Sequence, residues 1–512
     1  MPFLEPLFFY VFFILFLCLV FTISSVVEFL RGNEKISVAF LFTGTLLLGI
    51  HVSLINPYLN LWDEQFNALV AKNTMNNFFK PMLYANPVLD YDYKDWAHNA
   101  VWLHKQPLFL WQMAISMKLF GVNELGVRLP SIVMHALMPL FIYRIGKISF
   151  NPALGYYGAL FFAVANYPLQ LAVGIYGTDH NDTAFLFYIT ASFWAWFEYQ
   201  QSKKRYWIVL IGIFSGCAVL VKWLVGLLIY SAWGLVKIVK KEFVFNLQLH
   251  VDFILSVCIT FLVFLPWQFY VLFQYPLEAH YEYAMNTKHL FEPVENHSGS
   301  IWFHIDALKL LYGSGDLIPF ILLAGLISLG LRIQNIAYRV ALLAPIVIVY
   351  LFFSLVSTKI ESFCLIVTPF VLLGLASLTC HIIDFLCLKI RLDYIKKILI
   401  FLSLMVACFF LVNLPDIYSN AYRPHRMRDM ELIKKIQGQL RDDPYVIFNA
   451  ELSGNGHIPI MFYTPYNAYD FIPSQEQLNT IYDKGFKVAV IHSSTLPEYI
   501  KNSSDIYIID RN

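Results

Sequence analysis

The sequence predicts an all-α polytopic membrane protein with about 12–13 transmembrane helices, followed by a small C-terminal α/β domain outside the membrane. Composition is the first reason: 58% of the 512 residues are hydrophobic and only 14% are charged, whereas soluble domains carry about 25% charged residues. The second reason is a series of long apolar runs that extends to residue 415. The third is a change to mixed polarity and short β-like runs after that residue.

The apolar runs are about twelve in number, and most reach or approach the roughly 17–25 residues that a helix needs to cross a membrane. Because lipid offers the backbone no hydrogen-bond partners, we predict that each run is a helix. The region 1–35 is expected to hold an additional N-terminal transmembrane helix rather than a signal peptide, because it lacks a basic segment and a clear cleavage site. The runs are Leu7–Val27, Ile36–Ile55, Pro130–Ile148, Ala153–Val173, Thr183–Phe197, Trp207–Val221, Leu224–Val239, Val251–Leu272, Leu317–Leu331, Val340–Val356, Phe363–Ile383 and Ile398–Leu414.

Basic residues are concentrated in alternate connections between these runs, and the positive-inside rule predicts that this side is cytoplasmic. They are Arg31, Lys35, Arg144, Lys147, Lys203, Lys204, Arg205, Lys237, Lys240, Lys241, Arg332, Arg339, Lys389, Arg391, Lys396 and Lys397. The opposite side then receives two outer loops, 56–106 and 274–316, and the tail. We therefore predict a transmembrane domain over 36–415 and a periplasmic α/β domain over 416–512, whose simplest role is a folded cap.

Charge and cysteine placement exclude several classes of function. The chain has 36 basic and 35 acidic residues, a net charge of +1, whereas nucleic-acid binders carry a basic excess on one face. The 7 cysteines lie in or beside apolar runs without metal-ligand spacing. Neither a disulfide framework nor a cysteine metal site is therefore expected. No glycine-rich phosphate loop is present either, so no nucleotide site is expected.

Two adjacent acids, Asp63 and Glu64, follow the second apolar run. Ionisable residues at the mouth of membrane helices are costly, which makes them functional candidates. One of the carboxylates is suited to act as a general base that takes a proton from an acceptor hydroxyl or amine. The alternative is that the acids cap the next helix, because aspartate is a good N-cap and acids favour a helix N-terminus.

Three lysines fall on the predicted outer side, where a cation at membrane depth suggests an anionic ligand. Lys105 precedes an aromatic, amphipathic stretch, Lys222 separates two apolar runs, and Lys359 follows another run. A lipid phosphate is the simplest anion available at that depth, and a lysine meets it as a point charge. For Lys105, the alternative is that the amine only extends to the headgroup region.

Other charged groups lie on the same predicted side. Asp179 and Asp182 mark the outer end of one helix pair. The second outer loop holds His280, His289, His297 and His304 together with Glu278, Glu282, Glu292 and Glu295. Histidine and glutamate on one loop can bind a divalent metal ion, but the spacing matches no metal motif. A structural or solvated role for these residues is therefore favoured.

Taken in order, these segments resemble the C-type integral-membrane glycosyltransferases. More narrowly, they resemble the bacterial branch related to the lipid A aminoarabinose transferase and the protein O-mannosyltransferases. The resemblance covers about residues 36–415 and rests on Trp62-Asp63-Glu64, His104–Trp111, Leu119–Glu124 and Arg128–Ser131. Together these motifs are specific, although each alone is weak.

The resemblance and the charge clusters together assign roles to individual residues. The expected catalytic residues are Asp63, Asp182 and Glu64, with Asp179 as the rival of Asp182. The expected donor phosphate-binding residues are Lys105, Lys359 and Lys222, and the candidate metal ligands are His104 and His297. The sequence departs from the family pattern at Phe66, where relatives often have arginine, and at Ile366, which replaces a proline. His104 and Gln106 also replace an acid and a proline, which puts a metal site built on that acid in doubt.

The resemblance implies that a sugar moves from a polyprenyl-phosphate-linked donor to a lipid, glycan or protein acceptor. The reaction would take place on the outer side of the cell inner membrane. The sequence indicates no certain cofactor and leaves open whether the protein uses a divalent metal ion. The alternative within the enzyme class is an oligosaccharide transferase or polymer ligase that uses a pyrophosphate-linked donor. Outside that class, the alternatives are a non-catalytic lipid-binding scaffold and a transporter.

Overall fold

The computed structural model describes residues 5–176, 180–242, 247–313, 315–389, 414–421, 423–440, 443–451 and 456–511. Helices account for most of these residues. The helices before residue 390 are α1 (Glu5–Leu30), α2 (Glu34–Leu54), α3 (Asp63–Thr74), α4 (Pro107–Phe120), α5 (Glu124–Ser149), α6 (Pro152–Ala163), α7 (Asn166–Ala172), α8 (His180–Ser202), α9 (Tyr206–Lys222), α10 (Leu228–Val239), α11 (Leu247–Gln274), α12 (Pro276–Phe291), α13 (Phe303–Asp306), α14 (Leu308–Tyr312), α15 (Ile318–Arg332), α16 (Ile336–Leu355) and α17 (Thr368–Lys389), with 3-10 turns at Trp223–Leu227 and Glu361–Val367.

Among the described residues, 7 helical segments are long and apolar enough to cross a membrane, and α15 is apolar but shorter. The 7 segments are Tyr10–Leu30, Glu34–Leu54, Glu124–Ser149, Tyr206–Val239, His250–Gln274, Ile336–Leu355 and Glu361–Phe385. Every predicted apolar run before residue 390 coincides with one or two helices. The run Ile398–Leu414 lies outside the described residues except for Leu414. The predicted polytopic helical class is confirmed.

The predicted runs outnumber these segments partly because the helices are interrupted. The run Ala153–Val173 is divided into α6 and α7. Pro168 has no N–H to donate to the carbonyl of residue 164, so a continuous helix would lose a bond there. Trp223 has a φ of 62° and ends α9, and the chain continues through the 3-10 turn into α10. The segment Tyr206–Val239 therefore contains two predicted runs.

Several of the predicted cytoplasmic connections meet at one end of the bundle. Lys147 at the end of α5 forms an ion pair with Glu34 at the start of α2. The guanidinium of Arg144 lies 2.6 Å from the carboxylate of Glu198 on α8. The basic residues at this end are thus partly neutralised by acids of neighbouring helices.

The C-terminal region is a small α/β domain, as predicted. Its four strands, β1 (Tyr445–Phe448), β2 (Asn467–Ala468), β3 (Lys487–Ile491) and β4 (Ile506–Ile509), form a parallel sheet in the order β2-β1-β3-β4. Parallel neighbours need crossover connections, and here helices supply most of them. The helices of this part are Leu414–Ala421, Pro424–Gln439, His457–Tyr463, Gln475–Asp483 and Glu498–Lys501.

The C-terminal domain packs on the first outer loop. Lys72 at the end of α3 donates hydrogen bonds to the backbone carbonyls of Met461 (2.8 Å), Phe462 (2.8 Å) and Thr464 (3.1 Å). Burial lowers the pKa of Lys72 from its ordinary value of 10.5 to about 8. The hydroxyl of Tyr84 also donates to the carbonyl of Ala468, at 3.2 Å. The loop therefore lies between the helical bundle and the C-terminal domain.

We expect Lys72→Met to weaken this packing. The substitution keeps the length of the side chain but removes the donor from three carbonyl groups, and a hydrogen bond to a charged group contributes about 1.5–3 kcal/mol. The purified variant should melt at a lower temperature in detergent. Lys80→Met is the matched control, because Lys80 is an exposed lysine of the same loop. Equal melting temperatures for the two variants would contradict the contact.

Candidate functional site

The first predicted pair of residues comes together at the mouth of the bundle. Asp63 is the first residue of α3, and its carboxylate lies 3.0 Å from the amine of Lys105, just before α4. The side chains are partly accessible, with 32% of Asp63 and 16% of Lys105 exposed. Trp62, directly before Asp63, has a φ of 61°, a conformation that a bulky residue adopts rarely and that is often found at functional sites.

Glu64 points away from that pair into the protein. Its side chain is fully buried and accepts two hydrogen bonds from Arg128, at 2.7 and 3.1 Å. It also accepts bonds from His180 Nε2 at 3.0 Å and from the backbone N–H of Asn60 at 2.6 Å. A Cβ atom at Gly174 would lie 2.2 Å from the carboxylate. Glu64 is therefore enclosed on every side by protein.

The electrostatic balance at Glu64 is set by opposing effects. Burial raises its pKa, but Arg128 and His180 outweigh that effect and lower the pKa from 4.5 to about 2. Arg128 also donates to the backbone carbonyls of Asn56 at 2.6 Å and Tyr58 at 2.7 Å. The arginine of the Arg128–Ser131 motif thus fixes the chain that leads to Asp63. Sequence reasoning quoted this motif without giving the arginine a role.

A second ion pair joins the predicted acid Asp182 to Lys222. Asp182 lies in the first turn of α8, and Lys222 is the last residue of α9. The lysine amine also lies 5.3 Å from the ring centroid of Phe363. The rival acid Asp179 lies outside the described residues.

One aromatic contact and two hydrogen bonds lead from this second pair towards the first. The ring of Trp223, next to Lys222, lies 5.0 Å from the ring of Tyr283 on α12. The Tyr283 hydroxyl donates to Gln268 at 2.8 Å, and the Gln268 amide donates to Gln106 at 2.8 Å. Gln106 adjoins Lys105 in the sequence, so the two lysines border one connected region.

Lys359 has a different environment. It is 4% exposed, and its amine donates to the backbone carbonyls of Phe353 at 2.9 Å and Ser354 at 2.7 Å, near the end of α16. Its backbone N–H donates to the carbonyl of His297 at 3.0 Å. In this conformation the amine caps a helix instead of meeting either ion pair.

The predicted metal ligands His104 and His297 occupy separate surroundings. The ring of His104 stacks on Trp96 with centroids 5.3 Å apart, and its Nδ1 lies 3.6 Å from Glu282. The backbone carbonyl of His297 accepts a hydrogen bond from the N–H of Lys359. Among the described residues, neither belongs to a group of three metal-ligating side chains close enough to share an ion.

Aromatic rings border Asp63 on the side of the first outer loop. Trp96 lies 5.1 Å from Trp62 and 5.2 Å from Phe66, measured between ring centroids. Phe66 also stacks on Trp102 at 5.1 Å. Trp62 remains 47% exposed, and an exposed indole next to a carboxylate suits contact with a sugar ring. Sequence reasoning noted the polar and aromatic loop around Trp96 but assigned it no role.

Comparison with known proteins supports the predicted resemblance. Residues 104–270 match the family model described as dolichyl-phosphate-mannose-protein mannosyltransferase. An uncharacterized protein of Aquifex aeolicus (strain VF5) is 30% identical over 166 residues. That match covers 31% of this chain and 29% of the relative, so the chain spans less than a third of that relative's length.

Two solved structures share the fold. ArnT from Cupriavidus metallidurans bound to undecaprenyl phosphate matches with a TM-score of 0.62 and 15% identity, over 87% of this chain and 88% of that one. The archaeal oligosaccharyltransferase AglB from Archaeoglobus fulgidus, in complex with an inhibitory peptide and a dolichol-phosphate, gives 0.57 and 13% identity, over 85% and 64%. The predicted resemblance to the C-type fold is confirmed.

Proposed function

We propose that this chain transfers a monosaccharide from a polyprenyl-phosphate-linked donor to an acceptor nucleophile. The acceptor atom would attack the anomeric carbon of the sugar while the bond from that carbon to the phosphate oxygen breaks. The bonding electron pair leaves with the phosphate, and Asp63 takes the proton of the acceptor. The family match in residues 104–270 and the fold shared with ArnT support a lipid-linked donor.

The ion pair between Asp63 and Lys105 is the observation that carries the proposal. A lysine at the mouth of a membrane bundle can bind a lipid phosphate and stabilise the negative charge that grows on it as the sugar departs. When the phosphate binds, it would compete with Asp63 for the amine. The carboxylate would then be available as the general base, so one contact links donor binding to activation of the acceptor.

The remaining site residues receive secondary roles in this proposal. Lys222 is the second candidate for the phosphate, and Asp182 orients its amine. Lys359 would reach the phosphate only by leaving its two carbonyl partners, so we assign its amine to capping the end of α16. Glu64 is a positioning residue, because Arg128 and His180 enclose its carboxylate.

We place the reaction on the periplasmic side of a cell inner membrane. The support is the positive-inside pattern of the sequence together with the position of the first outer loop and C-terminal domain at the mouth that carries Asp63. The sugar could be a hexose or a pentose, and the acceptor a lipid, a glycan or a protein. The exposed Trp62 beside Asp63 favours an acceptor or donor sugar that can stack on an indole.

The direct test is whether membranes that contain the protein consume a radiolabelled polyprenyl-phosphate sugar. Consumption should require the full chain and should release the polyprenyl phosphate. Membranes prepared with the empty vector are the control. If the label stays on the lipid with a complete set of envelope acceptors present, the proposed activity is wrong.

Lys105→Ala should weaken donor binding about 10–100-fold, because a charge-assisted contact contributes about 1.5–3 kcal/mol and 1.4 kcal/mol corresponds to a factor of ten. The dissociation constant of the donor lipid for the purified protein is the measurement. Lys118→Ala serves as the control, since Lys118 is an exposed lysine of the adjoining helix α4. Equal affinities for both variants would remove Lys105 from the phosphate site.

A further inference from the structure

A group of metal-ligating side chains lies outside the site described above, between the first outer loop and the C-terminal domain. It consists of His98, His457 and Asp470, whose ligand atoms all lie within 4.8 Å of one another. Nε2 of His98 lies 2.8 Å from one oxygen of Asp470, and Nδ1 of His457 lies 3.6 Å from the other. The two imidazole rings stack, with centroids 5.2 Å apart and planes 10° apart.

His457 supplies an independent reason to look for a ligand. Its side chain is 0% exposed, and Nδ1 has no hydrogen-bond partner. A buried nitrogen without a partner is costly and therefore needs an explanation. Nε2 of the same ring lies 3.4 Å from the carbonyl of Ala97, and only a protonated nitrogen can donate to a carbonyl. Nδ1 is then left with a free lone pair that points towards Asp470.

The separation between His457 and Asp470 suits a shared ion better than a direct bond, whereas His98 and Asp470 are at hydrogen-bond distance, 2.8 Å. A separation of 3.6 Å is too long for a hydrogen bond between His457 and Asp470. Two ligands that each lie about 2.0–2.2 Å from a tetrahedral zinc ion are about 3.3–3.6 Å apart. The observed separation therefore leaves room for an ion between the two side chains.

A further carboxylate orients the other histidine. Oδ2 of Asp95 lies 2.8 Å from Nδ1 of His98. With an ion bound, this carboxylate would hold the proton on Nδ1 and leave the lone pair of Nε2 for the ion. A ligating histidine usually donates its second N–H to a carboxylate or a carbonyl. His98 and His457 both have such a partner, in Asp95 and in the carbonyl of Ala97.

We propose that His98, His457 and Asp470 bind one divalent transition-metal ion, of which Zn²⁺ fits best, with water at the fourth position. Two imidazoles and one carboxylate are donors that zinc accepts, whereas calcium and magnesium favour oxygen ligands alone. His98 and Asp470 are partly exposed, at 29% and 28%, so water can reach the ion. The ion would join the first outer loop to the C-terminal domain.

A metal-free ion pair is the competing account. Hydrogen bonds to Asp470 and Asp95 raise the pKa of His98 to about 9, so a charged imidazolium between two carboxylates is self-consistent. That account leaves the buried Nδ1 of His457 without a hydrogen-bond partner. A bound ion would satisfy both histidines.

The test is metal binding by the purified full-length chain in detergent, which does not depend on transfer activity. The protein is stripped with a chelator, and Zn²⁺ is titrated in competition with a chromophoric chelator. We expect one Zn²⁺ per chain at this site, lost in His98→Ala and in Asp470→Asn. Asp95→Asn should retain the ion but weaken its binding about 10–100-fold, as expected for loss of a ligand-orienting carboxylate.

Two controls separate this site from other histidines. His280→Ala removes an exposed histidine of the second outer loop and should change nothing. The double variant His104→Ala/His297→Ala removes the metal ligands predicted from the sequence and should leave this zinc in place. The proposal is overturned if the stripped protein takes up no zinc, or if uptake is unaffected by His98→Ala and Asp470→Asn.

Folding of the variants is checked by melting temperature and elution volume, and the metal site is checked separately with Co²⁺. Asp470→Asn preserves the size of the side chain, so melting temperature and elution volume should match those of the metal-free wild type. In the wild type, Co²⁺ should give the visible absorption of a tetrahedral site, and this absorption should be absent in a folded Asp470→Asn protein. A tetrahedral spectrum retained in that variant would assign the ion to other residues.

Discussion

Asp63→Asn is expected to lower the transfer rate about 10²–10⁴-fold, which is the usual contribution of a general base. The amide keeps the size of the side chain and can still contact the amine of Lys105, but it cannot take a proton. The substitution should therefore reduce kcat while expression and membrane insertion stay unchanged. Single-turnover transfer from a labelled donor lipid by the purified protein is the measurement.

Asp90→Asn is the matched control for that experiment. Asp90 is an exposed aspartate of the same outer loop, outside the ion pair. Asp63→Glu adds a second comparison, because it restores a base at a shifted position and should recover part of the rate. A purified Asp63→Asn protein with wild-type single-turnover transfer would show that another group takes the proton.

Glu64→Gln is expected to destabilise the protein by about 3–5 kcal/mol, the usual cost of breaking a buried ion pair by removing one partner. The amide would leave Arg128 uncompensated at a position that is 0% exposed. Arg128→Met should have a comparable effect, since Glu64 would then be the unpaired charge. Thermal melting in detergent is the measurement, and failure to purify as a monodisperse species would be the extreme form of this result.

The double variant Glu64→Gln/Arg128→Met tests whether the pair itself is responsible. Because each single variant leaves a buried charge and the double variant leaves none, the combined loss should be smaller than the sum of the two. Strict additivity would indicate that the residues act through separate contacts.

The same pair predicts a direction for pH dependence. The pKa of Glu64 is lower in the folded protein, about 2, than its ordinary value of 4.5. Its contribution to stability is therefore fully present above pH 4.5 and declines as the pH falls towards 2. The variant Glu64→Gln should lack this part of the acid sensitivity.

The fold was predictable to the extent that lipid determines it. An apolar run in lipid must be a helix, and the described helices follow the predicted runs. The break at Lys222 was predicted, because a charged residue there separates two apolar runs, and α9 ends at that residue. The division of the run Ala153–Val173 was missed, because hydropathy does not register the backbone geometry that Pro168 imposes within a mostly apolar segment.

The charged residues of the site could be predicted from the sequence, but the directions in which their side chains point could not. Asp63 and Glu64 are neighbours with similar chemistry, yet one faces the mouth and the other faces Arg128. Successive residues on a helix point about 100° apart, so the composition of the pair cannot distinguish them. Arg128, a charged residue within an apolar helix, was the available signal that one acid would be buried.

Contacts across long stretches of sequence were beyond reach. His98 and Asp470 are separated by 372 residues, and no spacing rule joins them. The tail was predicted to be a folded cap without catalytic groups, and its contribution of two side chains to a shared cluster had no signature in sequence.

The packing of the C-terminal domain on the first outer loop has a consequence for biogenesis. Lys72 and Met461, which contact each other, are 389 residues apart, so the ribosome completes one surface long before the other. During that interval the loop beside Asp63 is not covered by the C-terminal domain and is accessible to proteases and chaperones. Maturation of the mouth should therefore be among the last events in the synthesis of this protein.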